Sequence, residues 1–332
     1  QAEAPTPTPL GIVEQTFGHF DRDTLAPIAP SLPLPEPHAR PVFSPDERRL
    51  ALGLSAPGAG GNGRVGVWIV DPAHVKVLHA VETGIAAEAV VYPGVVAALL
   101  QNGQLAIIDP ESGKIRSRKA VGRTSCAPEA VQTKDRGVIV NEIRGDEVEV
   151  TIVDPRGAVH TLRLPFKTAQ RTCRKVGLAA DATRAYVTTA HRIAAIDPVT
   201  RHVETVRFTG GTDADVVPGG LAIAGTQGLA VVDTSTWKTR WRDRSARNVQ
   251  TAANTVIGTG ARKITARDAR TGRVLWRKPG SAQAVAAGRV YAQPAVLDLA
   301  TGEQVGTHPE VFSAIRFVMN RKTDRVLLGA LG

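Results

Sequence analysis

The chain has 332 residues, 42% of them hydrophobic, and its 41 Lys and Arg against 31 Asp and Glu leave a formal net charge of +10. That length can bury a large core, and length alone would suggest two or three domains unless repeats make one long unit. No apolar run approaches the roughly 18 residues a membrane helix needs, no signal-peptide pattern is visible, and two cysteines are too few for a disulfide framework.

The positive field favours nucleic acid, anionic polymers, acidic lipid headgroups or acidic protein faces as partners. Residues 1–10, QAEAPTPTPL, alternate proline with small residues and read as an extended tether. The start at Gln1 fits a mature chain after processing, or a boundary of the expressed piece.

From residue 11 onward one pattern recurs: a short apolar run ends in Asp, a turn follows, then a second strand. In chain order the copies are FGHFDRDTLAPI, VWIVDPAHVKVL, LAIIDPESGKIR, VTIVDPRGAVHTL, RIAAIDPVTRHVETV, GLAVVDTSTWKTRW, ITARDARTGRVLW and AVLDLATGEQVG. Their aspartates are Asp21, Asp71, Asp109, Asp154, Asp197, Asp233, Asp268 and Asp298, at intervals of 30 to 50 residues. A mean period near 40 is the length of a β-propeller blade. Two further β-type runs precede most aspartates, such as KVGLAAD and RAYVTTA ahead of RIAAID, so each unit supplies four strands.

An all-β single propeller of four-stranded blades over residues 11–332 is therefore expected. The C-terminal runs VFSAIRFVMN and DRVLLGALG look like the first two strands of a unit whose last two are GIVEQTFGHFD and TLAPI at the N-terminus. Joined, they would close the ring in one blade and remove its exposed sheet edges. This gives eight blades, or seven if the weakly matching Asp21 unit is an extra strand. The aspartates themselves are expected to hold turns, because an Asp at a turn start accepts backbone N–H bonds from the residues just beyond it.

Trp241 and Trp276 each stand eight residues after their Asp, in DTSTWKTRW and DARTGRVLW. This resembles the repeat of the pyrroloquinoline-quinone-like (PQQ-like) propellers, and units such as IIDPESGKI resemble the related YVTN-type repeat. The resemblance implies that the tryptophan docks an outermost strand against the next blade. Quinone dehydrogenases of this class carry two adjacent cysteines and a calcium ligand set. Cys126 and Cys173 are not adjacent, no such ligand set is found, and no cofactor is predicted.

In a propeller the innermost strands line a channel, and residues from many blades converge at its mouth. The segments leading into those strands contribute Arg40, Glu129, Arg174, Lys175, Asp213, Asp215, Arg247, Gln283 and Arg316 as candidate ligand-binding residues. Cys126 and Cys173 fall at equivalent positions of neighbouring units, 17 residues after Asp109 and 19 after Asp154. Near the axis such positions can meet the roughly 4.4–6.8 Å Cα separation of a disulfide, which predicts a Cys126–Cys173 bond and an oxidising compartment. The eight histidines are scattered without metal-site spacing, and no metal site is predicted.

Two functional readings follow. One is a monomeric binding or scaffold propeller outside the cytoplasm, holding a protein, an anionic polymer or a small anionic ligand at the channel mouth. The other is a hydrolase or lyase in which Glu129 or Asp215 is the base and Arg174 or Arg316 holds an anionic group. Nucleic acid is permitted by charge, but aromatics are only 4% of the chain, too few for base-stacking platforms.

Overall fold

A computed structural model describes residues 10–13, 16–19, 23–24, 32–33, 42–46, 48–54, 66–121, 129–144, 147–164, 166, 176–209, 211, 213–286, 288–292, 294–307, 315–320 and 325–330. Every regular element among them is a strand. No helix is long and apolar enough to cross a membrane among the described residues.

Seven antiparallel four-stranded sheets follow one another along the chain, each with its strands in sequence order. Blade 1 comprises Val42–Phe43, Leu50–Leu54, Gly66–Asp71 and Lys76–Glu82, and blade 2 Ala86–Tyr92, Val95–Leu100, Gln104–Ile108 and Ile115–Ala120. Blade 3 is Glu129–Gln132, Gly137–Arg144, Glu147–Val153 and Val159–Leu164; blade 4 is Gly177–Ala180, Ala185–Thr188, Arg192–Ile196 and Val203–Arg207. Blade 5 is Asp213–Val217, Gly220–Gly225, Gly228–Asp233 and Thr239–Asp243; blade 6 is Asn248–Ala252, Thr255–Gly260, Lys263–Asp268 and Val274–Pro279. Blade 7 is Ala282–Ala286, Arg289–Ala292, Ala295–Asp298 and Gln304–Thr307. The expected all-β propeller is present, and seven complete blades match the smaller of the two anticipated counts.

The ends of the chain add two smaller sheets. Leu10–Val13, Thr16–His19 and Leu32–Pro33 form one, Ile315–Asn320 and Arg325–Ala330 the other. Leu10–Val13 lies beside Arg325–Ala330, without a hydrogen-bonded ladder between them among the described residues.

The core consists of seams between blades. Successive first strands contact one another around the axis. The second and third strands, such as VVAALL and GLAVVD, are buried nearly throughout because both faces meet a neighbouring sheet. Val90, Tyr92 and Leu99 of blade 2 pack on Ile139 and Val153 of blade 3. Tyr186 and Phe208 of blade 4 likewise pack on Leu221 and Ile223 of blade 5. The fourth strands are largely exposed, as in IRSRKA.

Each described aspartate of the repeat holds its turn. Asp233 Oδ1 accepts the Ser235 and Thr236 amides at 3.0 Å, and Asp109, Asp197 and Asp298 make the same pair of bonds. Asp71 and Asp154 accept two amides each, and Asp268 accepts that of Thr271; Asp21 lies outside the described residues. Four residues after the Asp the backbone turns left-handed, with φ +67° at Gly113, +73° at Gly272 and +71° at Gly302, a conformation glycine adopts without a Cβ penalty.

That turn is also where the next blade docks. The Trp241 indole of blade 5 donates to the Ala269 carbonyl of blade 6 at 3.0 Å, and Trp276 of blade 6 donates to Leu299 of blade 7 at 2.8 Å. A Cβ on Gly272 or Gly302 would sit 2.6 Å from the Trp241 or Trp276 ring. His79, eight residues after Asp71, plays the same part between blades 1 and 2. Its Nε2–H donates to the Glu111 carbonyl at 2.8 Å, and its ring lies under Gly113.

Gly302→Ala should therefore cost about 1–3 kcal/mol in urea unfolding, from left-handed strain plus the clash with the indole. In a Trp276→Ala background the same change should cost clearly less, because the blocking ring is gone. Strictly additive costs would show that ring and turn are not in energetic contact.

Candidate functional site

The first strands of the blades surround a cavity of about 860 Å³. Its wall is built from the second halves of these strands and the turns that leave them, reaching solvent at exposed Lys134, Ala182, Pro218 and Ala253. It thus opens on the face that carries the Asp hairpins, here called the turn face. The candidates drawn from sequence were placed at the other end, the crossing face, where the chain passes from one blade to the next.

Of those candidates, Asp215 and Gln283 line the cavity. Glu129 opens the first strand of blade 3 and Asp213 that of blade 5; both are half-buried at the crossing end, and neither is part of the cavity wall. Arg247 is exposed and donates to the Arg244 carbonyl at 2.9 Å. Arg316 belongs to the strand Ile315–Asn320, of which only the backbone is described. Arg40, Arg174, Lys175, Cys126 and Cys173 lie outside the described residues, and the predicted disulfide with them.

Polar side chains of the inner strands, in the cavity wall and beside it, are engaged in holding blades together. Asp213 Oδ2 accepts the Val249 amide at 2.9 Å, and Asp215 Oδ2 accepts the Thr251 amide at 2.9 Å and its hydroxyl at 2.8 Å. The other Asp215 oxygen accepts the Val216 amide at 2.8 Å. Two carboxylates of one inner strand thereby take up amides on the open edge of the next, which would otherwise lack partners. Gln132 does similar work between blades 1, 2 and 3, its Oε1 accepting from the Val91 amide at 2.6 Å and its Nε2 donating to the Phe43 carbonyl at 2.8 Å.

Gln250 is different. Its Nε2 donates to the Gln283 carbonyl at 2.9 Å, while its buried Oε1 has no hydrogen-bond partner among the described residues. A buried acceptor without a donor is costly, so this oxygen offers a place for an N–H or O–H of a bound molecule or water.

Asp181 stands where the cavity wall meets the turn face. Burial would raise its pKa, but the Tyr186 hydroxyl at 2.6 Å and the amides of Thr183 and Arg184 hold it below the ordinary carboxylate range. Burial and that same carboxylate raise the Tyr186 phenol, which stays protonated and donating. Sequence reading passed over Asp181 because DATRA is indistinguishable from any short polar turn. Among the described residues no group of three His, Cys, Asp or Glu side chains is placed to hold a metal ion.

No family model matches the chain, and no curated protein matches it in sequence. Solved structures do. BamB from Moraxella catarrhalis superposes with a TM-score of 0.57 at 13% identity, covering 90% of this chain and 93% of that one. The dihydro-heme d1 dehydrogenase NirN, solved in complex with DHE, gives 0.62 at 16% identity over 90% of this chain and 72% of its own. Apo AztD from Citrobacter koseri gives 0.53 at 12% identity over 84% and 87%. The chain shares the β-propeller fold with these structures, as the Asp hairpins led one to expect. At these identities the likeness is one of fold, and such folds host many activities.

Because the folded pKa of Asp181 lies below its unfolded value near 3.9, its ionised form contributes stability above that value, and the contribution disappears as pH falls through the lower folded pKa. Asp181→Asn should lower the Tm at pH 7, with the difference from wild type closing as pH falls below the unfolded value and through the lower folded one. A difference that stays constant over that range would show that the Asp181 charge is not what matters.

Proposed function

We propose that this protein is an extracytoplasmic binding propeller that seats a partner at a mouth of its channel. The observation that carries the reading is the engagement of Asp215. Both its oxygens accept hydrogen bonds from backbone or hydroxyl donors, one of them across to the next blade. A general base must be able to take a proton, whereas a rigid mouth with braced walls needs carboxylates used in this way. The orphaned Gln250 oxygen adds one acceptor in the wall for a ligand donor. From the sequence segments that lead into the inner strands, Arg40, Arg174, Lys175, Arg247 and Arg316 would supply cations for an acidic protein segment or a small anionic ligand.

Closure of the ring by the two ends of the chain belongs to the same proposal. Supporting it, Arg289 of blade 7 binds Asp23 at 2.6 Å, and Gly306, eight residues after Asp298, leaves no room for a Cβ against the Asp23 carbonyl. Asp23 thus stands toward blade 7 as the turns of blades 6 and 7 stand toward Trp241 and Trp276. The oxidising location rests on the predicted Cys126–Cys173 bond.

A panel of small dicarboxylates, phosphate esters and acidic peptides, screened by thermal shift at low salt, tests the mouth. At least one is expected to raise the Tm of the wild type, with the shift abolished in Arg40→Ser/Arg174→Ser/Lys175→Ser. The hydrolase or lyase reading would displace this one if ester or glycoside turnover were found that Asp215→Asn removes without lowering the Tm.

A further inference from the structure

The crossing face of blades 4 to 6 carries a second candidate site, away from the channel. A cavity of about 360 Å³ is lined by His191, Arg192, Arg207, Phe208 and Thr209 of blade 4. Arg192 and Arg207 are directly opposite each other across neighbouring strands. Like charges in that position repel and are normally avoided. Neither forms an ion pair among the described residues. From blade 5, the Arg242 guanidinium lies 5.6 Å from the centre of the Phe208 ring, adding a third cation at the seam.

The carboxylates of blades 4 to 6 are engaged in other contacts. Eight Asp and Glu occur between residues 176 and 280. Asp181, Asp197, Asp233 and Asp268 hold turns on the opposite face. Glu204 accepts from the Trp237 indole at 2.6 Å, and Asp213 and Asp215 take amides of blade 6. Asp243, next in sequence to Arg242, is buried and paired with Arg267 at 2.8 Å. Meanwhile Arg244, Arg247, Arg262, Lys263 and Lys278 stand exposed on the crossing face of blades 5 and 6. On this face the exposed cations thus outnumber the carboxylates, Asp213 and Asp243, which are already engaged.

We propose that this face binds a flexible polyanion bearing phosphate or sulfate groups, with one oxyanion seated between Arg192 and Arg207 and the remainder running over blades 5 and 6. Guanidinium pairs match such oxyanions in geometry and charge, and a bound oxyanion removes the repulsion between the two arginines. Phe208 is buried beneath Arg242 and gives no platform for a base, which sets the site apart from one that stacks nucleotides.

The test uses fluorescence anisotropy of the whole chain with labelled inorganic polyphosphate and, as a second arm, labelled heparin, each over a salt series. Binding should weaken log-linearly with salt and fall roughly tenfold or more in Arg192→Gln/Arg207→Gln. A control of equal charge, Arg184→Gln/Arg273→Gln on the turn face, should change it less than about threefold. Dependence in both arms supports a shared oxyanion site, and dependence in one identifies the source as phosphate or sulfate. Equal loss in the two variants would reduce the effect to net charge and overturn the site, as would an absence of binding at low salt. Arg192→Gln/Arg207→Gln should keep or raise the Tm, since it removes a repulsive pair, so lost binding would not reflect lost folding.

Discussion

Every blade of a propeller presents one open strand edge to the channel, and the backbone groups on that edge have no strand to pair with. Water or side chains must satisfy them. Here side chains of the adjacent blade do so. Asp213 and Asp215 reach the amides of Val249 and Thr251, and Gln132 bridges Val91 and Phe43. This requirement determines the chemistry of the channel wall, because polar groups that might serve a reaction are already holding strands in register.

The outer perimeter answers the complementary problem. Fourth strands are half exposed and could slip past one another, but the turns of Asp109, Asp268 and Asp298 each offer a carbonyl and a Cβ-free position to the blade before them. Trp241, Trp276 and His79 fill that position with a ring that packs on glycine and donates to a carbonyl. Inner braces and outer locks together join successive blades at both the channel and the perimeter.

Those faces differ in charge for a structural reason. The turn face must carry aspartates, since they accept the amides of its hairpins, and arginines such as Arg116 and Arg240 pair with them at 2.6 and 2.8 Å. On the crossing face of blades 4 to 6 the carboxylates Asp213 and Asp243 are engaged with blade 6 and with the Ser245 turn, and exposed cations such as Arg244, Arg262 and Lys263 outnumber them. The net charge of +10 is therefore unevenly spread over the molecule.

Much of this organisation was readable before any coordinates. The Asp turn is a local device whose donors lie two or three residues on, so Asp71 through Asp298 announced the blades, and the eight-residue step to Trp241 and Trp276 announced the docking. The same step points to His79, which was missed because the residue type differs. The channel was less legible. Asp215 and Gln283 line the cavity, which opens on the turn face, and nothing around DATRA marked Asp181. The pairing of Asp215 with Thr251, 36 residues away, and the opposition of Arg192 to Arg207 depend on how whole blades register against one another. By itself the sequence determined the repeat, its turns and its docking rings, which rest on contacts within one or two units. Which charges meet, and which are left unmatched, was decided only by the tertiary packing of the ring, because those encounters join residues that no local spacing relates.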